Sequence, residues 1–430
     1  MPAILVVLFS FILIVVLMRL RVPLFGGILA GCLLLGIHQQ IPATKMWLGF
    51  LASLLGGQTI SLVVLIILIT LFSLQLQVSG RLTRLVGSAN TVIRSRRLRL
   101  AMFPALIGLL PMPGGAVFSA PMVEEAGKAL PLNKAQLTAI NYWFRHIWEF
   151  WWPMYPGVLL AVSLTKLSLP LFIVSMLPLT FVSILFGVST MFRGLGKANK
   201  ESSLNFNASL RSYRIQTLGK FIVELTPVTA VVVGSVILES LREFLISRGY
   251  PLLPQVPRAG MVVAILVPII VIGVRDPLGL KKSLREWFSR GNTEMLLAVI
   301  TVMWYRQILS TSGIAEKAVN ELMAMSIPLM VVIFLLPFIG GLITGINVAG
   351  VGVSFPIVIG LAEGAGIPML ATAVFAYSAV HMGVMVSPIH FCLILTKEYF
   401  KTDYGKAYAL LAPSVVAVLL SAWAIAKLVG

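Results

Sequence analysis

Apolar runs separated by short polar links fill this chain from one end to the other. They lie at residues 2–18, 22–37, 59–77, 136–162, 169–191, 221–239, 261–274, 293–311, 368–395 and 407–428. Runs of this length suit helices that cross the hydrocarbon core of a bilayer, and the sequence lacks the short alternating pattern of barrel strands. The pattern therefore predicts an all-α, polytopic membrane protein with about ten transmembrane helices.

Two further apolar segments, residues 98–127 and 327–361, are interrupted near their middle. The first break is the sequence Pro111-Met112-Pro113-Gly114-Gly115, and the second is the glycine-rich stretch 340–350. At a rise of about 1.5 Å per residue, the arms beside each break reach only half-way across the bilayer. We therefore predict two re-entrant hairpins. Prolines at positions 153 and 388 predict that the helix after each hairpin is broken.

The first hairpin and the helix after it recur later in the chain at a constant offset of 235 residues (350 − 115 = 235). The identical pairs are Gly115/Gly350, Ser119/Ser354, Pro121/Pro356, Val123/Val358, Tyr142/Tyr377, His146/His381 and Pro153/Pro388. This self-similarity predicts two repeats, each with a re-entrant hairpin and a broken helix. The predicted segments are N-terminal spans at 1–45, repeat one at 46–191, a linker at 192–220, further spans with a basic loop at 221–292, and repeat two at 293–430.

The net charge of +18 comes mainly from basic residues in the links between apolar runs. The arginine-rich link at 81–99 contains no acid, which places it in the cytoplasm by the positive-inside rule. The corresponding link of repeat two carries Glu316, Lys317 and Glu321 and has lost this positive charge. We therefore predict inverted repeats in the inner (cytoplasmic) membrane, with the linker 192–220 on the cytoplasmic side and no nucleic-acid binding.

The composition, with 58% hydrophobic and 11% charged residues, excludes a soluble domain. Cys32 and Cys392 lie in apolar context without CxxC or CxxH spacing, so we predict packing residues, with neither a disulfide nor a metal site. The chain has four histidines and contains neither HExxH nor GxSxG. We therefore predict that it is not an enzyme and binds no cofactor beyond a coupling ion.

The hairpin breaks predict a binding site, because backbone exposed at membrane depth must be covered by protein or by a water-filled site. Helix N-termini after Gly115 and Gly350 would direct partial positive charge and free N–H groups at an anion. Polar side chains nearby are supplied by Ser119, Thr344, Asn347 and Ser354. The alternative interpretation is that the small residues only allow close helix packing.

Arg145, His146 and Glu149 form a polar group inside an apolar run, where an unpaired charge is costly. Their spacing places them on one face of a continuous helix, with Arg145 as an anion ligand and Glu149 or His146 exchanging a proton. His381, the repeat of His146, is a candidate for the binding site, and His390 is a candidate for proton coupling. The alternative is a structural Arg145–Glu149 ion pair with histidines that only fix packing.

With these motifs the chain resembles the ion transporter superfamily, whose members carry anions through two inverted repeats with re-entrant hairpins. The Pro-Met-Pro-Gly-Gly turn is similar to that of gluconate-type permeases, and the family most resembled is the prokaryotic domain of unknown function 401. The resemblance implies elevator-like alternating access, usually in a homodimer. It implies a substrate or ion site lined by Gly114, Gly115, Ser119, Asn347, Gly350 and Ser354. The Ser-Asn-Thr signature of sodium-coupled dicarboxylate members does not stand at both hairpin tips, which favours protons over sodium.

The sequence as a whole predicts a secondary active transporter of a small anion, such as an organic carboxylate, coupled to H⁺ or Na⁺. The expected partners are this anion, the lipid bilayer and a second copy of the chain. An anion channel and an intramembrane enzyme are the alternatives. Accumulation of substrate against a gradient distinguishes a transporter from a channel.

Overall fold

The computed structural model describes residues 2–93, 95–112, 114–128, 130–194, 208–249 and 258–430, with the backbone alone for 208–216. Within these ranges all regular structure is helical and no strand occurs. In chain order the helices are α1 (Ala3–Arg19), α2 (Leu24–His38), α3 (Ala43–Leu55), α4 (Gly57–Val78), α5 (Arg81–Val92), α6 (Arg96–Gly108), α7 (Ala116–Gly127), α8 (Lys134–Arg145), α9 (Pro156–Thr165), α10 (Leu169–Met191), α11 (Ala208–Ser247), α12 (Ala259–Arg275), α13 (Pro277–Trp287), α14 (Arg290–Thr311), α15 (Ile314–Ala324), α16 (Leu329–Thr344), α17 (Asn347–Gly364), α18 (Met369–Met385), α19 (Phe391–Phe400) and α20 (Tyr404–Val429).

The helices α1–α10 and α11–α20 follow the same succession. Helices α2 and α12 begin 235 residues apart (259 − 24), and the same offset separates the starts of α8 and α18, α9 and α19, and α10 and α20. The correspondence therefore extends to α1–α3 and α11–α13, which show little residue identity. The segment boundaries given above stay a prediction.

The two halves pack through equivalent helix pairs. Helix α2 packs against α14 as α12 packs against α4, and α9 packs against α17 as α19 packs against α7. Helix α1 contacts α15, while α11 contacts α5. Such reciprocity is what two repeats related by a pseudo-two-fold axis produce.

In the part of the chain that the structure describes, five helices are long and apolar enough to cross a membrane. They are α4, α10, Thr217–Ser247 within α11, α17 and α20, and the pair α15–α16, bent by 120°, would make a sixth. Six more apolar helices have 10–17 residues, among them α1, α2, α12 and α18. The all-α polytopic class is confirmed. The placement of the shorter helices in the bilayer, and with it the re-entrant nature of the hairpins, stays a prediction.

Helices α6 and α7 form the first helical hairpin, and α16 and α17 form the second. Helix α7 begins at Ala116, directly after Gly115, as the sequence predicts. The prediction that a helix begins directly after Gly350 was wrong. Helix α16 ends before Gly345, which takes a left-handed conformation (φ +66°), and α17 begins already at Asn347. Gly350 therefore lies within the first turns of α17 and does not precede its N-terminus.

The helix expected over residues 136–162 is not continuous. Helix α8 ends at Arg145 and α9 begins at Pro156, so residues 146–155, here called break one, form irregular turns. Residues 386–390, here called break two, separate α18 from α19 in the same way. Pro153 and Pro388 lie inside these breaks, as predicted. The shared helical face of Arg145, His146 and Glu149 was a wrong prediction, because the helix ends before it can form.

Candidate functional site

Two tyrosines at the repeat offset tie the two breaks together. Tyr142 on α8 donates its hydroxyl to the carbonyl oxygen of Met385 at the end of α18, at 3.1 Å. Tyr377 on α18 donates to the carbonyl oxygen of Glu149 in break one, at 2.9 Å. Both rings are fully buried. Each half thus satisfies carbonyl groups that the broken helix of the other half leaves without an intrahelical partner.

Side chains at break one also form hydrogen bonds with the first hairpin. The last carbonyl groups of α6 and the turn after it lack helical partners, and side chains from the region of break one donate to them. The contacts are Trp148 Nε1 to Ala105 O (2.8 Å), Tyr155 Oη to Gly108 O (2.5 Å), Trp152 Nε1 to Leu109 O (3.0 Å) and Arg145 Nη2 to Met112 O (2.6 Å). The first hairpin and break one therefore form one hydrogen-bonded unit.

Arg145 is the buried cation of this unit, with 2% of its surface exposed. Its Nη1 lies 3.2 Å from His146 Nε2 and 3.3 Å from Cys392 Sγ. Its Nε has no hydrogen-bond partner. Among the described residues, no carboxylate oxygen lies within the 4.0 Å of an ion pair with it, so the expected Arg145–Glu149 pair does not form.

The glycines before α7 allow Arg145 to occupy this position. A Cβ atom on Gly115 would lie 2.6 Å from Arg145 Nη2, so any side chain there would displace the guanidinium. Gly114 has φ +71°, which favours glycine, and its added Cβ would meet Phe391 at 3.0 Å. The guanidinium therefore lies beside the first turn of α7.

Asn347, the first residue of α17, joins the two halves of the site. Its Nδ2 donates to Glu149 Oε2 at 2.6 Å and lies 3.0 Å from His381 Nδ1. Its Oδ1 is buried without a partner. Glu149 Oε1 in turn lies 3.8 Å from His146 Nε2. The second hairpin thus contacts the carboxylate of break one directly.

The histidines of the two breaks face each other. His146 Nδ1 bonds to Tyr142 O and His390 Nδ1 bonds to Gly345 O, each at 2.6 Å. Their Nε2 atoms lie 3.1 Å apart. Both hydrogen bonds to carbonyl groups fix the rings, so the pair of Nε2 atoms is held at the meeting point of the two breaks.

The structure brings together most of the predicted residues but not all. Seven of them contact Arg145 or one another: Gly115, Arg145, His146, Glu149, Asn347, His381 and His390. Gly114 lies next to Gly115 in the tip of the first hairpin. Ser119, Thr344 and Ser354 instead donate to carbonyl groups of their own helices, Ala116, Gly340 and Gly350 respectively. Their role as ligands stays a prediction.

Gly350 has a packing contact that accounts for its small size. An added Cβ would lie 2.7 Å from Val380 Cγ1 and 3.1 Å from the backbone of Gly341. In this structure the alternative interpretation given above, close helix packing, therefore describes Gly350.

The residues that meet at the two breaks, here called the cluster, are Arg145, His146, Glu149, Asn347, His381, His390 and Cys392. Of these, Cys392 is the residue that the sequence did not predict. It lies in the first turn of α19, is 4% exposed, and its sulfur accepts from Arg145 Nη1. The ligand atoms of Cys392, His146 and His390 all lie within 4.8 Å of one another. The signal was the His390-x-Cys392 spacing just after a helix break, and its meaning depended on His146, which belongs to the other half.

The cluster is closely packed in this conformation. The gap between His146 and His381, lined also by Trp143, Phe150 and Met382, has no room for a water molecule. His390 is partly exposed, whereas Arg145, His146 and His381 are buried. His390 is therefore the most accessible of these four side chains.

A helical fold with two hairpins and two broken helices around a buried polar cluster defines a polytopic α-helical membrane protein. The chain belongs to the family described as protein of unknown function (DUF401), whose model matches residues 2–429. The resemblance to this family that was stated from the sequence is thereby confirmed.

Two solved transporter structures have a similar fold. The crystal structure of the YdaH transporter of Alcanivorax borkumensis matches with a TM-score of 0.56 and 15% identity, over 90% of this chain and 89% of that one. The structure of Neisseria gonorrhoeae MtrF, which illuminates a class of antimetabolite efflux pumps, matches with a TM-score of 0.50 and 16% identity, over 89% and 82%. A comparison with curated protein sequences finds no match. At these identities the likeness is one of fold.

Proposed function

We propose that this chain is a secondary active transporter of a small organic carboxylate, working by elevator-type alternating access coupled to protons. The observation that carries the proposal is the buried guanidinium of Arg145, whose Nε has no partner and which has no carboxylate of the described residues within ion-pair distance. A buried charge without a counter-ion costs several kcal/mol, on the order of 3–5. A bound anion would offset much of that cost.

The surroundings of Arg145 favour a carboxylate as that anion. The guanidinium is planar and binds carboxylates through strong charge-assisted hydrogen bonds, and its Nε has no hydrogen-bond partner in this structure. The N-terminus of α7 lies beside it and adds partial positive charge. Met112 and Phe391 supply apolar contacts for the organic part of such a substrate.

The helix contacts support an elevator movement. Helices α6–α9 pack with α16–α19 around the two breaks, whereas α1–α4 and α11–α15 pack mainly among themselves. The first group contains every residue of the cluster. Movement of this group against the second would carry the site across the bilayer without unpacking either, which is the rigid-body displacement that alternating access requires.

Glu149 and the histidines support coupling to protons. The carboxylate of Glu149 contacts Asn347 and lies near His146, so a proton gained there changes the charge beside the proposed anion site. Linkage then requires that proton binding and anion binding influence each other equally. Histidine is suited to such exchange at physiological pH.

The test is a thermal-shift screen of the purified chain with carboxylates, phosphate and sulfate at several pH values. A carboxylate at a hundredfold of its dissociation constant should stabilise the wild type by about 2.7 kcal/mol. Arg145→Met should abolish this stabilisation. Arg306→Met, on α14 outside the cluster, is the matched control and should keep it.

The same carboxylate should accumulate in proteoliposomes when a proton gradient is imposed, and it should equilibrate without one. Equal stabilisation of wild type and Arg145→Met would contradict the proposed site. Passive flux without accumulation would contradict a transporter and favour a channel.

A further inference from the structure

The contact between His146 and His390 leaves two nitrogen lone pairs close together. A carbonyl oxygen only accepts hydrogen bonds, so the Nδ1 of each ring carries the hydrogen that bonds to Tyr142 O or Gly345 O. In the neutral rings both Nε2 atoms then present lone pairs to each other at 3.1 Å. The lone pair of His146 Nε2 accepts from Arg145 Nη1 at 3.2 Å, and a metal ion bound between the two nitrogens would use both lone pairs.

The arrangement of these rings is the one found around metal ions. Metal-binding histidines donate their second ring N–H to a carbonyl or carboxylate oxygen, which fixes the tautomer and the ring orientation. Both histidines do so here. Cys392 adds a sulfur within 4.8 Å of both Nε2 atoms, so the set consists of two imidazoles and one thiol.

The distances suit a tetrahedral zinc ion. With Zn–N bonds of about 2.0 Å and tetrahedral angles, two nitrogen ligands stand about 3.3 Å apart, close to the 3.1 Å observed between the Nε2 atoms. A nitrogen and a sulfur ligand stand about 3.5 Å apart in such a site. A shift of the Cys392 sulfur by about 1 Å therefore completes the set.

The charges of the neighbouring groups indicate which kind of ligand suits the fourth coordination position of the zinc ion. Binding of Zn²⁺ releases the thiol proton of Cys392 to solvent, leaving a thiolate beside the guanidinium of Arg145. The carboxylate of Glu149 lies 3.8 Å from His146 Nε2. One zinc ion, one thiolate, Arg145 and Glu149 sum to +1 (2 − 1 + 1 − 1), so the open fourth position favours an anion or water.

We propose that His146, His390 and Cys392 form a Zn²⁺ site that joins the two broken helices. His146 belongs to break one, whereas His390 and Cys392 belong to break two and the start of α19. A zinc ion bound to all three links the two halves of the chain at the site of the proposed transport cycle. Bound zinc therefore holds the cluster in the conformation described here.

The test is metal binding to the full-length chain in detergent after treatment with a chelator. We expect one zinc ion per chain, with X-ray absorption showing one sulfur at about 2.3 Å and two nitrogens at about 2.0 Å. Cobalt as a substitute should give a thiolate charge-transfer band. The substitutions Cys392→Ser and His390→Gln should each lower zinc affinity by at least about tenfold.

Two controls lie outside the cluster. Cys32→Ser removes the other cysteine, on α2, and His38→Gln removes the histidine at the end of that helix, so both should leave metal affinity and the cobalt band unchanged. The absorption measurement uses wild-type protein, so it remains decisive if a variant fails to fold. Absence of zinc binding, binding without sulfur, or equal binding by Cys392→Ser would overturn the proposal.

These results are independent of the proposed transport. Zinc bound with one sulfur and two nitrogens supports the metal site even when no carboxylate stabilises the chain. Conversely, stabilisation by a carboxylate after full removal of metal supports the transporter. The metal site is then accepted or rejected on zinc binding and X-ray absorption alone.

Discussion

Arg145 shows at the scale of a single residue how much depends on the absence of a neighbouring side chain. Its guanidinium lies within 3 Å of the space where a Cβ of residue 115 would stand. Gly115 was predicted as a site residue because it recurs at the repeat offset. In the structure Gly115 leaves room for the guanidinium of Arg145, whereas the sequence suggested that its backbone contacts the substrate.

Gly115→Ala is therefore expected to displace Arg145 and to weaken the binding of a stabilising carboxylate more than tenfold. The reason is steric, since the new Cβ would lie 2.6 Å from Nη2 and 2.8 Å from Nε. The measurement is the carboxylate concentration that gives half of the maximal thermal shift.

Gly87→Ala is the matched control, because a Cβ on Gly87 in α5 would meet no atom within 4 Å. It should keep the affinity and raise stability slightly, by about 0.5–1 kcal/mol. An unchanged affinity in Gly115→Ala would show that Arg145 is not part of the anion site.

The residue scale also shows why one prediction failed. Arg145 and Glu149 are four residues apart, a spacing that brings side chains together only on a continuous helix. The helix ends at Arg145, so Glu149 contacts Asn347 of the other half instead. Local spacing could not reveal this, because the partner is 198 residues away.

At the scale of helices, the reciprocal tyrosines connect the two broken elements. Tyr142 and Tyr377 occupy equivalent positions on α8 and α18, and each donates to a carbonyl group at the break of the other helix. The exchange is symmetric in residue type and in kind of partner, although the residues that form the two breaks differ in number and identity.

Tyr142→Phe and Tyr377→Phe should each lower the free energy of unfolding by about 1–2 kcal/mol, because each leaves a buried carbonyl group without its donor. Thermal unfolding in detergent measures the effect. Tyr408→Phe serves as the control, since the buried hydroxyl of Tyr408 has no partner, and its loss should be neutral or slightly stabilising. Losses no larger than in the control would show that the tyrosines do not secure the breaks.

At the scale of the whole molecule, the two halves are also joined at the start of the chain. Glu321 of α15 accepts from the backbone N–H groups of Ala3 and Ile4, each at 2.8 Å, and so caps α1. These two hydrogen bonds hold the pKa of Glu321 below its usual value. The cap therefore favours the ionised carboxylate and joins a helix of the second half to the first helix of the chain.

A lowered pKa in the folded chain means that the cap stabilises the fold above the unfolded-state value of about 4.3 and is lost as pH falls further. We expect the melting temperature of Glu321→Gln to lie below that of the wild type at pH 7. The difference should shrink as pH falls through the folded-state pKa of Glu321. Glu398→Gln, an exposed position on α19, is the control and should follow the wild type at every pH. A difference that stays constant with pH would argue against an ionised cap.

The sequence by itself determined the membrane class, the two hairpins, the two breaks and the correspondence between halves. These features follow from local properties: the length of apolar runs, glycine and proline where a helix must end, and identical residues at one offset. The family resemblance followed from the same stretches.

Only the tertiary structure decided which polar groups meet. His146 and His390 are 244 residues apart, and Arg145 and Cys392 are 247 apart, so no local pattern relates them. They meet because each broken helix exposes backbone and polar side chains that the apolar surroundings cannot satisfy, and the nearest groups able to do so belong to the other half. Cys392 thus changed from a predicted packing residue to a member of the central cluster.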